Sequence, residues 1–203
     1  ERAGREFFFD PLVVVHGEVK DLRGGREFPM AAGVHLEQDG CMLADLSWPR
    51  WVYQLFAAEV GRVDRLLAHR RTLPIMVKVR DELGGRLTDR GGVRKRLSGV
   101  DRERLRAGSE HARRILARAG ARRVFSTWFL AAHPGGSAKI GDVVDSNLAT
   151  EIDGLFVCDC SVIPEAWGLP PTLTILALAS RLARKLAGGS GAGAPAAIDV
   201  PRA

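Results

Sequence analysis

The chain has 203 residues, of which 46% are apolar and 27% are charged, an ordinary composition for a globular protein. This length suffices for one domain or a compact two-lobed unit, and the composition excludes a disordered, collagen-like or disulfide-scaffold chain. No run of about 18 apolar residues occurs, so no membrane span is predicted. The first residues lack both a starting Met and the apolar core of a signal peptide, as expected of a processed or internal start.

The basic excess is spread along the chain. Thirty Lys and Arg against 24 Asp and Glu give a net charge of +6. Nucleic-acid binding would need that excess gathered on one face, and the most basic stretch, residues 90–96, is short and contains no aromatic residue. Arg alternates with acidic residues, as at 101–104, which indicates solvated faces. We therefore expect no nucleic-acid partner.

Three cysteines, Cys41, Cys158 and Cys160, cannot all pair with one another. Cys158 and Cys160 lie in an apolar run without a His or Cys partner at metal-binding spacing. Free thiols in a reducing cytoplasm are the favoured interpretation, and zinc or iron–sulfur ligation is a remote alternative. We expect a cytoplasmic protein without a metal site.

Residues 1–132 are predicted to form a mostly antiparallel sheet with helices. Apolar, β-branched runs predict strands at 12–16, 73–79 and 93–95, and a longer buried strand at 124–132. A helix is expected from residue 48 to about residue 69, with one face in the core. That expected face consists of Trp51, Leu55, Val60, Val63 and Leu67.

A second helix is predicted to begin at a capping box and to end at a glycine. Ser98 and Asp101 have the spacing of the box, and Gly120 suits the left-handed residue that follows a helix. The side of the strand 73–79 that faces the core should carry Ile75, Val77 and Val79. The core stripe of the helix should consist of Leu105, Ala112, Ile115, Leu116 and Ala119.

The last third of the chain is predicted to contain a strand at 155–158 that ends at Asp159, and a helix at 172–187. The helix should bury Ile175, Leu178, Ala179, Leu182 and Leu186. Residues 188–203 are rich in Gly, Ala and Pro and predict a flexible tail. Within that tail, 189–194 matches the dinucleotide pattern G-x-G-x-x-A, but a helix precedes it and Pro follows, so we reject it as a binding turn.

An ordered string of motifs occupies the last third of the sequence. Its parts are His133-Pro-Gly-Gly-Ser, Ile140-Gly, Val143-Val-Asp, Gly154-Leu-Phe-Val-Cys-Asp-Cys-Ser-Val-Ile-Pro and Pro171-Thr-Leu-Thr-Ile. The string resembles the C-terminal segment of the glucose–methanol–choline (GMC) flavin oxidoreductases. The resemblance covers about residues 73–186 and is most specific from His133 onward.

His133 is the candidate proton-handling residue. A His at a strand end beside glycines can reach into a cleft, and an imidazole is a suitable base for an alcohol proton near neutral pH. Taken alone, such a His is more often bonded to a backbone carbonyl, but its place in the string favours the catalytic role. The remaining histidines are interpreted as structural or surface residues, namely His16, His35, His69 and His111.

The resemblance also implies which residues lie against the flavin. A carboxylate after a buried strand, as at Asp159, can accept hydrogen bonds from ribityl hydroxyls or simply cap a turn. The free amides at the start of the last helix would stabilise negative charge on a reduced flavin. Thr172 there could equally be an ordinary cap residue. The implied cofactor-binding set is Asp159, Cys160, Pro171, Thr172 and Leu173.

The sequence departs from the family pattern in three places. Nothing in it matches the family's N-terminal cradle for the adenine diphosphate. Pro170 occupies the position that usually holds a second His or Asn, so the two-residue grip on the substrate hydroxyl is in question. Ser137 replaces a Thr and keeps the hydroxyl. Glu165 and Trp167 in the same loop could compensate, although a solvated charge and a packing residue are the simpler interpretations.

The resemblance implies an α+β fold in which residues 1–132 form a substrate-domain sheet with helices. Residues 133–187 would add a strand and a helix to an FAD-binding domain supplied from outside this chain, and 188–203 would be the tail. The implied activity is oxidation of a CH–OH group of a small-molecule alcohol, with hydride transfer to FAD. The implied catalytic positions are His133 and Pro170, the position that usually holds His or Asn. The expected partner is the remainder of the flavoprotein, and the alternative is a non-catalytic subunit that caps or scaffolds a partner flavoprotein.

Overall fold

The computed structural model describes residues 2–22 and 29–188, so the predicted tail from 189 and its Gly-rich stretch lie outside the described residues. Within these residues the chain forms an α+β fold, as predicted, and every pairing between strands is antiparallel. The helices are α1 (Arg50–Glu59), α2 (Gly99–Arg118) and α3 (Thr172–Leu186). The strands are β1 (Arg5–Phe7), β2 (Pro11–Glu18), β3 (Gly33–Leu36), β4 (Cys41–Asp45), β5 (Thr72–Val79), β6 (Gly84–Leu87), β7 (Val93–Arg94), β8 (Arg122–Ser126) and β9 (Leu130–Ala131).

The main sheet has the order β3-β4-β5-β2-β8, and β9 pairs with the start of β2. Its two central strands, β2 and β5, consist largely of β-branched and other apolar residues that suit a sheet covered on both faces. Val77 and Val79 point toward α2, and Ile75 is partly buried against the same cluster, as predicted. Met76 and Lys78 therefore point to the opposite face, because successive residues of a strand alternate.

Helix α2 begins at the predicted capping box. Ser98 Oγ accepts a hydrogen bond from the Asp101 amide (3.0 Å), and Asp101 Oδ2 accepts one from the Ser98 amide (2.7 Å). The helix ends before Gly120, whose φ is +74°. The predicted burial of Ile115 and Ala119 is wrong, since both are exposed. The buried row is Asp101, Leu105, Gly108, Ala112 and Leu116.

The helix predicted over 48–69 is too long, and its predicted core face is wrong except at Val60, which packs partly buried against the core. Helix α1 ends at Glu59, and Gly61 follows with φ +72°. Short 3₁₀ turns then continue the chain toward β5. The buried side chains are Tyr53 and Ala57, whereas Trp51 is 68% exposed. The other exposed members of the expected stripe are Leu55, Val63 and Leu67.

Two further predictions need correction. The strand expected over 124–132 breaks into β8 and β9. The strand expected over 155–158 forms only one isolated bridge, between Ala149 and Phe156. Residues 155–158 belong to neither of the two sheets, so no strand of the described residues extends this pairing.

Helix α3 has the predicted bounds to within a residue, but its face is only partly covered. Ile175, Leu178 and Leu182 pack against buried clusters, while Ala179 and Leu186 are exposed. Among the described residues, no helix is long and apolar enough to cross a bilayer. The three cysteines are free thiols. The predicted domain boundary between residues 132 and 133 stays a prediction.

His16 is fully buried at the centre of an aromatic cluster. Its ring stacks on Phe125 at 4.8 Å between centroids and meets Tyr53 edge-on at 5.5 Å. Neither ring nitrogen has a hydrogen-bond partner within the described part of the chain. Burial lowers the pKa of His16 to about 4, so the ring is neutral in the folded protein at neutral pH.

His16 should make folding sensitive to acid. The unfolded chain binds a proton at His16 near pH 6.5 and the folded chain only near pH 4, so stability falls as the pH drops through this interval. The loss reaches about 3 kcal/mol when it is complete. His16→Phe should flatten the fall in urea-unfolding free energy between pH 7 and pH 4.5. The same change at exposed His35 should leave it unaltered, and an unchanged slope in His16→Phe would contradict the assignment.

Candidate active site

His133 follows β9 and is held by the segment that leads into β2. The His133 amide donates to Phe9 O (3.4 Å), and Phe8 and Gly135 exchange two backbone hydrogen bonds of 2.9 Å. The side chain of His133 is 32% exposed, so one edge of its ring is accessible and the other is enclosed. His133 thus follows the end of a strand, as predicted, and its imidazole is partly exposed.

The glycines after His133 allow a close approach to the segment around Cys160. A Cβ on Gly135 would lie 2.5 Å from Cys160 O and 2.5 Å from a ring carbon of Phe8. The Gly136 amide donates to Cys160 O (3.2 Å), and the Ala138 amide donates to Ser161 O (2.9 Å). The histidine loop and residues 160–161 are therefore joined by backbone hydrogen bonds.

The enclosed edge of His133 meets two buried charged residues. Lys78 Nζ lies 3.2 Å from His133 Nδ1 and 3.6 Å from Asp10 Oδ2, and the same Asp10 oxygen lies 3.6 Å from His133 Nδ1. Lys78 is 0% exposed and Asp10 is also buried. Asp10 Oδ1 has no hydrogen-bond partner among the described residues. Asp10, Lys78 and His133 form one cluster, which we call the buried triad.

Burial shifts all three titrations in the buried triad toward the neutral form. It raises the pKa of Asp10 to about 6, against the opposing influence of Lys78. It lowers the pKa of Lys78, against the charge of Asp10. It also lowers the pKa of His133, and the neighbouring Lys78 charge adds to that shift. His133 is consequently a neutral imidazole at neutral pH.

The corner at Phe9 and Asp10 is fixed by a second buried ion pair. Asp81 accepts hydrogen bonds from the Phe9 and Asp10 amides at 3.0–3.3 Å, and it pairs with Lys95 Nζ at 3.0 Å. Lys95 Nζ also donates to Phe7 O (2.8 Å) and Glu82 O (2.6 Å). Asp10 has φ +43°, an unusual conformation that these contacts hold in place.

Sequence reasoning missed Asp10 and Lys78. A lone lysine inside the apolar strand 73–79 is the signal that could have found Lys78, because a strand covered on both faces leaves no room for a free charge. Asp10 carries no comparable signal. It reaches Lys78 because β2 and β5 pair with Leu12 opposite Lys78.

The predicted flavin-contacting residues lie in two places, at the 3₁₀ turn bonded to the loop after His133 and at the start of α3. Asp159 is exposed and caps a short 3₁₀ turn, accepting from the Ser161 amide (2.8 Å), so the simpler of its two interpretations is observed. Cys160 is half-buried, and burial raises its pKa. Pro171 is buried and caps α3 in place of Thr172, which is exposed. Leu173 is 81% exposed.

The loop before α3 carries Pro170, which is exposed. A Cβ on Gly168 in this loop would lie 2.9 Å from the Arg80 amide, so the loop lies against the end of β5. Trp167 packs with Phe8, and Glu165 is exposed, as the simpler interpretations predicted.

A large cleft lies elsewhere. It has a volume of about 1480 Å³, and its lining does not include His133. Its floor is the small sheet β1-β6-β7, where Arg5, Arg86 and Arg94 stand directly opposite one another. The chemistry of the buried triad, rather than the size of a cavity, therefore identifies the candidate active site.

Comparison with known proteins shows which family the sequence resembles. Residues 92–179 match the family model described as GMC oxidoreductase, C-terminal part. An uncharacterised protein of Methanocaldococcus jannaschii is 30% identical over 186 residues, which is 92% of this chain and 47% of the relative. Long-chain-alcohol oxidase FAO4B of Arabidopsis thaliana is 28% identical over 167 residues, 61% of this chain and 22% of the oxidase.

Solved structures show the same fold at low identity. Pyridoxine 4-oxidase from Mesorbium loti has a TM-score of 0.59 at 17% identity, over 94% of this chain and 45% of that one. Formate oxidase from Aspergillus oryzae has a TM-score of 0.61 at 16% identity, over 93% and 48%. Residues 92–179 of the chain are therefore similar to the C-terminal segment of the GMC oxidoreductases. The chain spans less than half the length of the curated relatives it matches.

Gly135 should be intolerant of a side chain. Gly135→Ala puts a methyl group against Cys160 O and Phe8, so the histidine loop must shift at a cost of about 1–3 kcal/mol. We expect a lower midpoint in thermal unfolding. Gly99→Ala is the matched control, because a Cβ there meets nothing within 4 Å. Equal midpoints for the two variants would contradict the close packing.

Proposed function

We propose that this chain is the C-terminal part of a flavoprotein that oxidises a CH–OH group to a carbonyl. The observation that carries the proposal is His133, a neutral and partly exposed imidazole in the segment that matches the GMC model. Such a group can accept the hydroxyl proton while the hydrogen on the substrate carbon leaves as hydride. FAD, when bound, supplies the acceptor for that hydride.

The described residues fit one end of FAD. The amides of residues 172–174 have no acceptor within the described part of the chain, and the first turn of α3 is open. These amides and the positive end of the helix suit the electron-rich edge of a flavin ring. Asp159, the other implied flavin contact, is also exposed. The phosphates of FAD would be held by chain outside these residues.

The partner in this proposal is the remainder of the flavoprotein, from the same gene or a separate subunit. Helix α3 supports it, because Leu173 and Leu176 are 81% and 60% exposed and no residue of the helix is buried in this structure. Apolar side chains exposed together on one helix are typical of a surface that another part of a protein covers. The substrate would be a small-molecule alcohol.

A non-catalytic subunit is the second candidate. Pro170 favours it, since proline has no side-chain donor for a substrate hydroxyl. The two candidates differ in whether His133 handles a proton during turnover.

Replacing His133 separates the two candidates. His133→Ala in the complete assembly should lower the rate of flavin reduction by roughly 100-fold, the usual scale of general-base catalysis. FAD content should stay nearly unchanged, because the cofactor is held elsewhere. The measurement is anaerobic stopped-flow bleaching of the flavin with an alcohol that the wild type oxidises.

The controls for this experiment come from the same chain. His111→Ala, on the opposite surface beside Asp39, should leave the rate unchanged. Pro170→Asn should be tolerated or mildly faster in an active site and without effect in a dead one. A rate unchanged by His133→Ala would remove this residue from the chemistry.

The exposed leucines of α3 should matter for cofactor retention. Leu176→Asp places a charge in the surface that the partner would cover, so the complete assembly should lose FAD on gel filtration, as measured by flavin absorbance per protein. Ile115→Asp adds the same charge at an exposed apolar position of α2, away from α3, and should retain FAD. Equal retention by both variants would count against a covered α3.

A further inference from the structure

Two lysine side chains, those of Lys78 and Lys95, are buried among the described residues and have opposite surroundings. Lys95 Nζ is 3.0 Å from Asp81 and has two carbonyl oxygens within 2.8 Å, so its ammonium form is fully bonded. Lys78 Nζ has no comparable group of oxygen acceptors among the described residues. Its contacts are Asp10 at 3.6 Å, longer than a hydrogen bond, and His133 Nδ1 at 3.2 Å.

A lysine with this set of contacts can exist in two forms. As an ammonium it donates to His133 Nδ1, which leaves the imidazole proton on Nε2. As an amine it accepts the proton of Nδ1, which leaves Nε2 free to act as a base. The protonation of Lys78 thereby determines whether the exposed edge of His133 donates or accepts a hydrogen bond.

We infer that Lys78 is a positioning residue that exchanges a proton with His133 Nδ1 and so switches Nε2 between donor and base. This inference rests on the proposed function for its catalytic meaning. The hydroxyl proton of the substrate goes to Nε2, the Nδ1 proton passes to Lys78 Nζ, and the imidazole stays neutral. Asp10 balances the new ammonium, and the hydride from the substrate carbon goes to FAD. Release of the Nε2 proton to solvent, with return of the Lys78 proton to Nδ1, restores the starting state.

The charged groups around Lys78 favour such an exchange. Burial lowers the pKa of Lys78, while Asp10 raises it, and Cys160 is the other titratable neighbour. Asp81 faces Asp10 from the end of β5 but is already paired with Lys95. Above about pH 6 Asp10 is therefore the carboxylate that decides how easily Lys78 gives up its proton.

The tautomer of His133 can be observed directly, without turnover. We would label the histidine rings of the full protein with ¹⁵N, assign His133 with His133→Gln, and follow both ring nitrogens with pH. The wild type should show imidazolium, then a neutral ring protonated on Nε2, then a neutral ring protonated on Nδ1. A wild-type ring that passes from imidazolium to a single tautomer overturns the inference.

The second transition is the change from the ring protonated on Nε2 to the ring protonated on Nδ1. Substitutions decide whether Lys78 causes it. Lys78→Met should abolish it, because Nδ1–H then faces the Asp10 carboxylate throughout the neutral range. Lys139→Met changes a lysine that bonds to Arg5 O instead and should keep it. His111 in the same spectra should titrate identically in all variants. Persistence of the transition in Lys78→Met overturns the inference.

Asp10→Asn tests the same point if Lys78→Met does not fold. The amide has the same shape, and Asn tolerates the positive φ of this position. Loss of the negative charge should make the ammonium of Lys78 less stable and move the second transition to lower pH by about one unit or more. An unmoved or raised midpoint overturns the inference.

The pH dependence of the flavin-reduction rate tests the inference independently, by the direction in which it shifts. The acid limb of flavin reduction should move to lower pH in Lys78→Met, because the requirement for an unprotonated Lys78 is gone. If the lysine charge merely depressed the pKa of a histidine base, the limb would move upward instead, which would overturn the exchange. The two proposals can fail separately. If the wild type shows the tautomer transition but His133→Ala still reduces flavin at the normal rate, the proposed function is refuted and the proton exchange is not.

Discussion

The hydrogen bonds that Asp81 accepts from the Phe9 and Asp10 amides are the constraint on which the candidate site depends. They fix the corner before β2, and Lys95 neutralises the buried carboxylate that accepts them. The corner aims Asp10 at Lys78. One residue earlier, Phe8 bonds to Gly135 and so locates the loop that follows His133. A single buried carboxylate thus determines the place of both the histidine loop and the charge beside it.

The local features of the fold could be predicted from the sequence, because each depends on neighbours along the chain. The capping box at Ser98 and Asp101, the strand that became β5 and the bounds of α3 are of this kind. The His133 loop was also predicted, since Gly residues after a strand leave a recognisable pattern. These signals need no knowledge of what packs against them.

The errors arise where burial is decided by distant chain. The apolar stripe from Trp51 to Leu67 matches a helical period, yet the sheet covers Tyr53 and Ala57 instead. On α2 the row through Gly108 meets the sheet because Val77 approaches where that residue has no side chain, and Ile115 then faces outward. Asp10 and Lys78 became neighbours through the register of β2 and β5, which no local pattern specifies.

The candidate site has two parts, an open part that would contact a flavin and the buried triad beside His133. The groups that would hold a flavin here lie on open loops and on the uncovered first turn of α3, so their final geometry depends on the covering surface. The buried triad is different, because Asp10, Lys78 and the enclosed edge of His133 are shielded by this chain's own sheet. Electrostatic interactions are strongest where water is excluded, so the proton affinity of His133 is set chiefly by its buried neighbours. Under the proposed function, the present segment would control the proton, and the rest of the flavoprotein would hold the cofactor that accepts the hydride.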